Sequence, residues 1–195
     1  FPAGIFQPPY FDATWPSAIN FGGVGLAMGH ELTHAFDTWG SRRDARAQAR
    51  NWWSAATADA FADKAKCIAA HLSTYEAAPG IPMEASRVLD EAIADIGGLN
   101  IAHRAYRQLA AKHGEDPSAR FSRRLTHEQL FFVASAQNFC VKQTPEFEQA
   151  QARSDNHALG RVRVNATAAQ SPAFCGAFTC EPGEPMHARI ECDLW

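Results

Sequence analysis

No apolar run in these 195 residues approaches the roughly 20 residues that a membrane-spanning helix needs, and the first residues, Phe1-Pro2-Ala3-Gly4-Ile5, lack the basic start and small-residue cleavage site of a secretory leader. The chain itself is therefore expected to be soluble. An excess of one charge is lacking too. Lys and Arg total 18 against 21 Asp and Glu, a formal charge of -3, which gives no electrostatic reason to expect nucleic acid or another polyanion as partner. Arg42, Arg43, Arg46 and Arg50 form one local basic stretch, read as a solvated helix face or loop. No Gly-x-x-x-x-Gly-Lys occurs, and Gly23, Gly25 and Gly29 have the wrong spacing for a dinucleotide loop, so nucleotide binding has no support. The five cysteines, at positions 67, 140, 175, 180 and 192, fit neither a zinc ribbon nor a redox Cys-x-x-Cys. Their crowding toward the C-terminus leans toward disulfides and an oxidising compartment, and the odd number leaves at least one thiol unpaired within the chain.

What is present is a core-forming composition, 46% hydrophobic, expected to make one domain over residues 1–195. Pro2, Pro8, Pro9 and Pro16 make the opening extended or looping. Helical spacing of apolar residues then predicts a largely buried helix from about Ile19 to Asp37, ended by Gly40. A second helix is expected from about Asn51 to Tyr75 and a third from Arg87 to His113, with Pro79-Gly80-Ile81-Pro82 between them and Gly114 as terminator. Thr126-x-x-Gln129 is a capping-box pattern that opens a fourth, over before Pro145. From Ser154 onward the expectation is irregular chain, with a brief strand at Val162 to Val164 and a short helix from Ser171-Pro172.

The chemistry concentrates at His30-Glu31-Leu32-Thr33-His34. Histidines at i and i+4 share one helix face, so both imidazoles reach one zinc ion, while Glu31 points about 100° away and is free to act as a base toward water. A third ligand separates this reading from a helix with two satisfied histidines. Glu91, within Asp90-Glu-Ala-Ile-Ala-Asp95-Ile-Gly-Gly-Leu99, is the candidate, because a carboxylate among apolar residues needs a partner. Asp95, again at i+4, is placed to accept the proton of one ligand histidine's other nitrogen, and Asp37 can do the same for the second. Two histidines and one glutamate leave the fourth coordination position of a zinc ion open, as a hydrolytic site requires. The polar stretch Ser154 to Arg163, with His157 in it, is the best source of a donor for an oxyanion.

Taken together, Gly29-His-Glu-Leu-Thr-His-Ala-Phe-Asp37, the Glu91 to Leu99 block, Phe1-Pro-Ala-Gly-Ile-Phe-Gln-Pro-Pro9, Glu128-Gln-Leu-Phe-Phe132 and Cys192-x-x-Trp195 resemble the C-terminal zinc domain of the neprilysin and endothelin-converting-enzyme family. The resemblance implies a mostly helical, thermolysin-like α+β (gluzincin) fold and a zinc endopeptidase that cuts oligopeptides on the amino side of hydrophobic residues. It implies one Zn2+ on His30, His34 and Glu91, Glu31 as base and later proton donor, and Asp95 and Asp37 orienting the histidines. It further implies that His157 stabilises the tetrahedral intermediate and that Arg163, rather than Arg161, binds a substrate carbonyl. Ile5, Tyr10, Leu26, Ala27, Asn138 and Phe139 become candidate lining for the pocket after the cut. Cys67 and Cys192 match a disulfide-bonded pair, Cys140 and Cys180 match cysteines with partners upstream, and Cys175 has no recognised counterpart.

Three departures stand out: Ala92 where the family motif has Asn, a polar Asn138 in an otherwise apolar pocket, and Phe139 for the usual Trp. The resemblance also implies an upstream substrate-holding Asn-Ala segment and an N-terminal helical lobe that these 195 residues do not include, and an extracytoplasmic location. The competing expectation is a zinc- and peptide-binding module without catalysis. An intact Glu31 argues against it, and the missing upstream segment argues for it.

Overall fold

The computed structural model describes residues 1–114 and 124–194, and it is mostly helical. After the proline-rich opening, α1 (Ser17–Asn20), a π-helical turn (Phe21–Gly25) and α2 (Leu26–Thr33) run into one another, and a 3-10 turn at His34–Phe36 closes the run. The expected long helix is thus present with a π-turn inside it, which apolar spacing does not reveal. Helix α3 is Ala55–Leu72, not Asn51 to Tyr75, because the Ser54 side chain caps it by accepting from Thr57 N–H. The Pro79–Pro82 interruption is a small antiparallel hairpin, β1 (Glu76–Ala78) and β2 (Ile81–Pro82), turning at Gly80 with φ 73°.

Helix α4 (Ala85–His113) is the axis of the molecule. One apolar core gathers Phe61, Ile68 and Leu72 of α3, Val88, Ile93 and Ile96 of α4, and Val162 and Leu194. A second gathers Ile19, Leu26, Leu130, Phe131 and Phe132 around Leu99, Ala102 and Tyr106, also of α4. Burying each large side chain contributes about 1.5–3 kcal/mol. Helix α4 is thus held by core packing from Val88 to Tyr106, and Glu91 and Asp95 lie within the stretch packed into the first core. Helix α5 (His127–Gln137) has the full expected capping box, Thr126 with Gln129.

Two expectations for the last third fail. Residues 162–164 are not a strand but part of α7 (Gly160–Ala169), which buries Val162, Ala166 and Ala169 at helical spacing. The β-branched valines mislead because packing against α4 overrides their propensity. Helix α6 (Pro145–Ser154) was missed although Thr144 caps it, Pro145 sits in its first turn and Glu146 and Glu148 follow; it has no buried residue and hence no apolar stripe to detect. Helix α8 (Pro172–Phe178) begins as expected at Ser171-Pro172. Cys67 and Cys192 are joined by a disulfide, 125 residues apart in sequence. Trp195, the last residue of the Cys192-x-x-Trp195 pattern, lies outside the described residues. Among the described residues no helix is long and apolar enough to cross a membrane.

Candidate metal centre

Helices α2 and α4 touch backbone to backbone at Gly29 and Gly98. A β-carbon at Gly29 would come within 2.7 Å of the Gly98 oxygen, and one at Gly98 within 2.5 Å of the His30 nitrogen. Only glycine permits that approach, and it sets the histidine face of α2 against Glu91 of α4.

There the expected ligands converge. His30 Nε2 and His34 Nε2 are 3.1 Å apart, His30 Nε2 is 3.4 Å from Glu91 Oε2, and His34 Nε2 is 3.8 Å from Glu91 Oε1. A tetrahedral zinc ion with ligands at about 2.0–2.1 Å would separate them by about 3.3 Å. Among the described residues this is the single group of three such side chains close enough to hold a metal ion.

The hydrogen-bond pattern makes the same point. His30 Nδ1 lies 2.8 Å from Asp95 Oδ1 and His34 Nδ1 lies 2.7 Å from Asp37 Oδ2. Ionised carboxylates only accept, so both Nδ1 atoms carry the proton and, in the neutral rings, both Nε2 atoms present lone pairs to each other. Two lone pairs at 3.1 Å repel unless a cation lies between them. Glu91 Oε2 is buried and makes no hydrogen bond, another acceptor directed at the same space. Without a metal the site attracts protons instead. Burial opposes charge on His30, but the hydrogen bond to Asp95 and the Glu91 carboxylate beside its ring outweigh it and push the imidazole up to about 9. The Asp37 hydrogen bond likewise raises His34. Burial resists charge on Glu91 too, yet the neighbouring histidines, His30 foremost, hold it below its ordinary range.

Each orienting carboxylate is itself held. Asp37 Oδ1 accepts from the Gly40 and Trp39 N–H groups at 2.6 and 2.9 Å. Asp95, 2% exposed, accepts from Arg163 Nε at 2.7 Å and Nη2 at 2.8 Å, a fork on one carboxylate. Arg163 lies over the Phe139 ring, 4.7 Å from its centre. The Asp95 bond to His30 is the expected one, whereas the Arg163 fork on Asp95 and its stacking on Phe139 were not, since Arg163 was expected to meet substrate and lies 68 residues from Asp95. Arg161 pairs with Glu148 instead.

His157 reaches the centre from the loop between α6 and α7. Its Nε2 is 3.1 Å from Glu91 Oε2, and Asp155 holds its Nδ1 and its backbone N–H. Glu31 is solvent-exposed on α2 and is not one of the converging ligands. Of the proposed pocket residues, Leu26 and Phe139 line a small apolar cavity with Leu99, Phe132, Val164 and Arg163. Ile5, Tyr10, Ala27 and Asn138 are not in its wall. Tyr10 docks on the π-turn, its carbonyl accepting from Val24 N–H, and Asn138 donates to the Gly22 and Gly23 carbonyls of the same turn.

Comparison with known proteins gives a consistent picture. The model of peptidase family M13 matches residues 1–194. Human endothelin-converting enzyme 1 is 40% identical over 195 residues, which is 100% of this chain and 25% of that protein. Neprilysin-3 of Drosophila melanogaster is 38% identical, with the same 100% and 25% coverage. Among solved structures, the zinc metalloprotease ZMP1 of Mycobacterium tuberculosis, in complex with an inhibitor, superposes with a TM-score of 0.89 at 27% identity, over 100% of this chain and 30% of that one. PEPO of Lactobacillus rhamnosis superposes with a TM-score of 0.82 at 31% identity, over 100% and 29%. The chain thus spans about a quarter of the length of the relatives it matches.

Proposed function

The chain belongs to peptidase family M13, with the mostly helical fold of a thermolysin-like zinc metallopeptidase, and from that premise we propose that it carries the catalytic centre of a zinc endopeptidase. The observation that supports this most directly is the convergence of His30, His34 and Glu91, with two facing imidazole lone pairs and a buried, unbonded carboxylate oxygen. These three residues would hold one Zn2+ per chain. The ion would act as Lewis acid toward a peptide carbonyl and make water nucleophilic near neutral pH.

The chain's own residues do the rest. Glu31 takes the proton of the attacking water and returns it to the leaving amine. His157, its Nδ1–H held by Asp155, donates from Nε2 as the imidazolium to the oxyanion that develops on the scissile carbonyl. Asp95 and Asp37 hold the Nδ1 protons of the ligand histidines and fix their orientation. Arg163 holds Asp95 through Nε and Nη2 and keeps Nη1 for a substrate carbonyl. The apolar cavity at Leu26 and Phe139 suits a hydrophobic side chain on the carboxyl side of the cut, so oligopeptides cut before hydrophobic residues are the proposed substrates. The rest of the pocket, Ile5, Tyr10, Ala27 and Asn138, would shape its approaches. The relatives' greater length supports a helical lobe elsewhere in the whole protein, and the Cys67–Cys192 disulfide supports an extracytoplasmic location.

The test is Glu31→Gln in the whole protein, assayed with a fluorogenic peptide alongside zinc analysis. Zinc content is expected to stay at one per chain while turnover falls about 10²–10⁴-fold, the usual contribution of a general base. Turnover within about tenfold of the parent would remove Glu31 from the chemistry and favour the zinc- and peptide-binding module.

A further inference from the structure

The elements that carry the proposed ligands meet at a second point besides Gly29 and Gly98. After the 3-10 turn that holds His34, the chain turns at residues 37–40, and three successive N–H groups go to two carboxylates. Those of Trp39 and Gly40 donate to Asp37 Oδ1, and that of Thr38 donates to Asp90 Oδ1 at 2.9 Å. The first two bonds close the turn on its own aspartate, and a turn closed only in that way can move as a unit. The third bond crosses to α4, joining residues 52 apart in sequence. A hydrogen bond to a carboxylate is roughly twice as strong as one between neutral groups, so this is a firm tether.

Asp90 immediately precedes Glu91. Successive side chains on a helix project about 100° apart, so the two acids face different neighbours, and Asp90 is outside the group that could hold the metal ion. Its bond ends instead on the backbone next to Asp37, whose other oxygen, Oδ2, holds His34 Nδ1 at 2.7 Å. The same turn is packed against His34, since a β-carbon at Gly40 would overlap the His34 carbonyl oxygen. A shift of the turn therefore moves the ring that it orients. We propose that Asp90 is a positioning residue of the metal centre, clamping the turn that carries Asp37 to the helix that carries Glu91. This role rests on the reading of His30, His34 and Glu91 as zinc ligands. Helix α4 then orients both histidines, His30 directly through Asp95 and His34 through Asp90, the Thr38 N–H and Asp37. Loss of a residue that orients a ligand typically weakens metal binding about 10–100-fold, and one that acts through another side chain falls at the low end, about tenfold.

The test compares Asp90→Ala and Asp90→Asn with the parent in the whole protein. Zinc-loaded samples are followed for metal loss to a chelator, and Co2+-loaded samples by visible absorption, which reports the geometry of the metal's ligands. Asp90→Ala is expected to lose zinc about tenfold faster and to alter the cobalt bands. Asp90→Asn keeps an oxygen that can accept from the Thr38 N–H and is expected to stay close to the parent in both. Melting of the metal-free proteins is followed alongside, because a role confined to folding would lower it in Asp90→Ala and leave the cobalt bands unchanged. Parent-like zinc loss and parent-like cobalt bands in Asp90→Ala overturn the proposal and leave the metal centre itself standing. So does an Asp90→Asn variant as impaired as Asp90→Ala, since the tether would then not be what matters. If His34→Ala retains as much zinc as the parent, the ligand reading itself fails and Asp90 has no centre to position.

Discussion

At the scale of single residues, the centre separates side chains that would touch substrate from those that hold other side chains. His157 sits 3.1 Å from Glu91 Oε2 and is fixed by Asp155, so its contribution belongs to charge that develops during the reaction. His157→Ala is expected to lower kcat about 10²–10³-fold with little change in KM. Steady-state kinetics decide this, and a change confined to KM would reverse the assignment. Arg163 is a positioning residue as well as a proposed substrate contact, because its fork holds Asp95. Removing one partner of a buried ion pair leaves the other uncompensated, a loss of about 3–5 kcal/mol. Arg163→Ala is therefore expected to raise KM and also to reduce thermal stability and zinc retention, read by calorimetry and by competition with a chelator. Arg163→Lys should recover stability only in part, since lysine cannot make the fork.

A second residue-scale effect lies away from the centre. Ala47 holds φ 59° in the turn closed by Asp44, a left-handed conformation that costs a side-chain-bearing residue about 1–2 kcal/mol. Glycine avoids that cost and loses part of the gain to its freer unfolded chain. Ala47→Gly is expected to stabilise the protein by about 0.5–1 kcal/mol, measured as a higher denaturation midpoint at unchanged slope.

At the scale of elements, the convergence of the proposed metal ligands depends on the contact between α2 and α4. Gly98→Ala would place a β-carbon 2.5 Å from the His30 nitrogen, with backbone on both sides and no flexible neighbour to yield. The helices must separate, and overpacking of this kind costs about 1–3 kcal/mol. The expected outcome is a lower melting temperature together with weaker zinc binding, although no ligand is altered. Normal zinc affinity in Gly98→Ala would show that the centre tolerates a shift of one helix against the other.

This same contact marks how far the sequence is legible. That His30, His34, Glu91, Asp95 and Asp37 would come together was legible because their spacings fall on helix faces and because buried charge demands partners. Capping chemistry likewise located the starts of α5 and α8. What could not be read was non-periodic or long-range. The π-turn is a local winding change inside an unbroken apolar run, α6 has no apolar stripe, and the valines of α7 are helical because α4 covers them. The Arg163 to Asp95 fork joins residues 68 apart in sequence, and nothing near either one signals the other.

At the scale of the whole molecule, the question is what these residues do without the remaining three quarters of a relative's length. Met28, Leu32, Phe36 and Trp39 are all exposed along the α2 run that carries the ligands, with Trp39 at 62%. Apolar surface of that kind beside a catalytic centre is normally covered by another part of the protein or by substrate. Glu31 is exposed on the same helix, and water around it weakens the electrostatic interactions that a closed site strengthens. A chain of residues 1–195 alone is therefore expected to bind one zinc ion, because the three proposed ligands, His30 of α2, His34 of the 3-10 turn that follows it and Glu91 of α4, all belong to it. It is expected to hydrolyse peptides far more slowly than the whole protein and to self-associate through the uncovered face. The measurement compares kcat/KM of the two at equal zinc occupancy, with light scattering to follow oligomeric state. If the 195-residue chain is monomeric and as active as the whole protein, the centre needs no cover. Failure to retain zinc would instead show that the α2 and α4 contact is itself held in place by the rest of the protein.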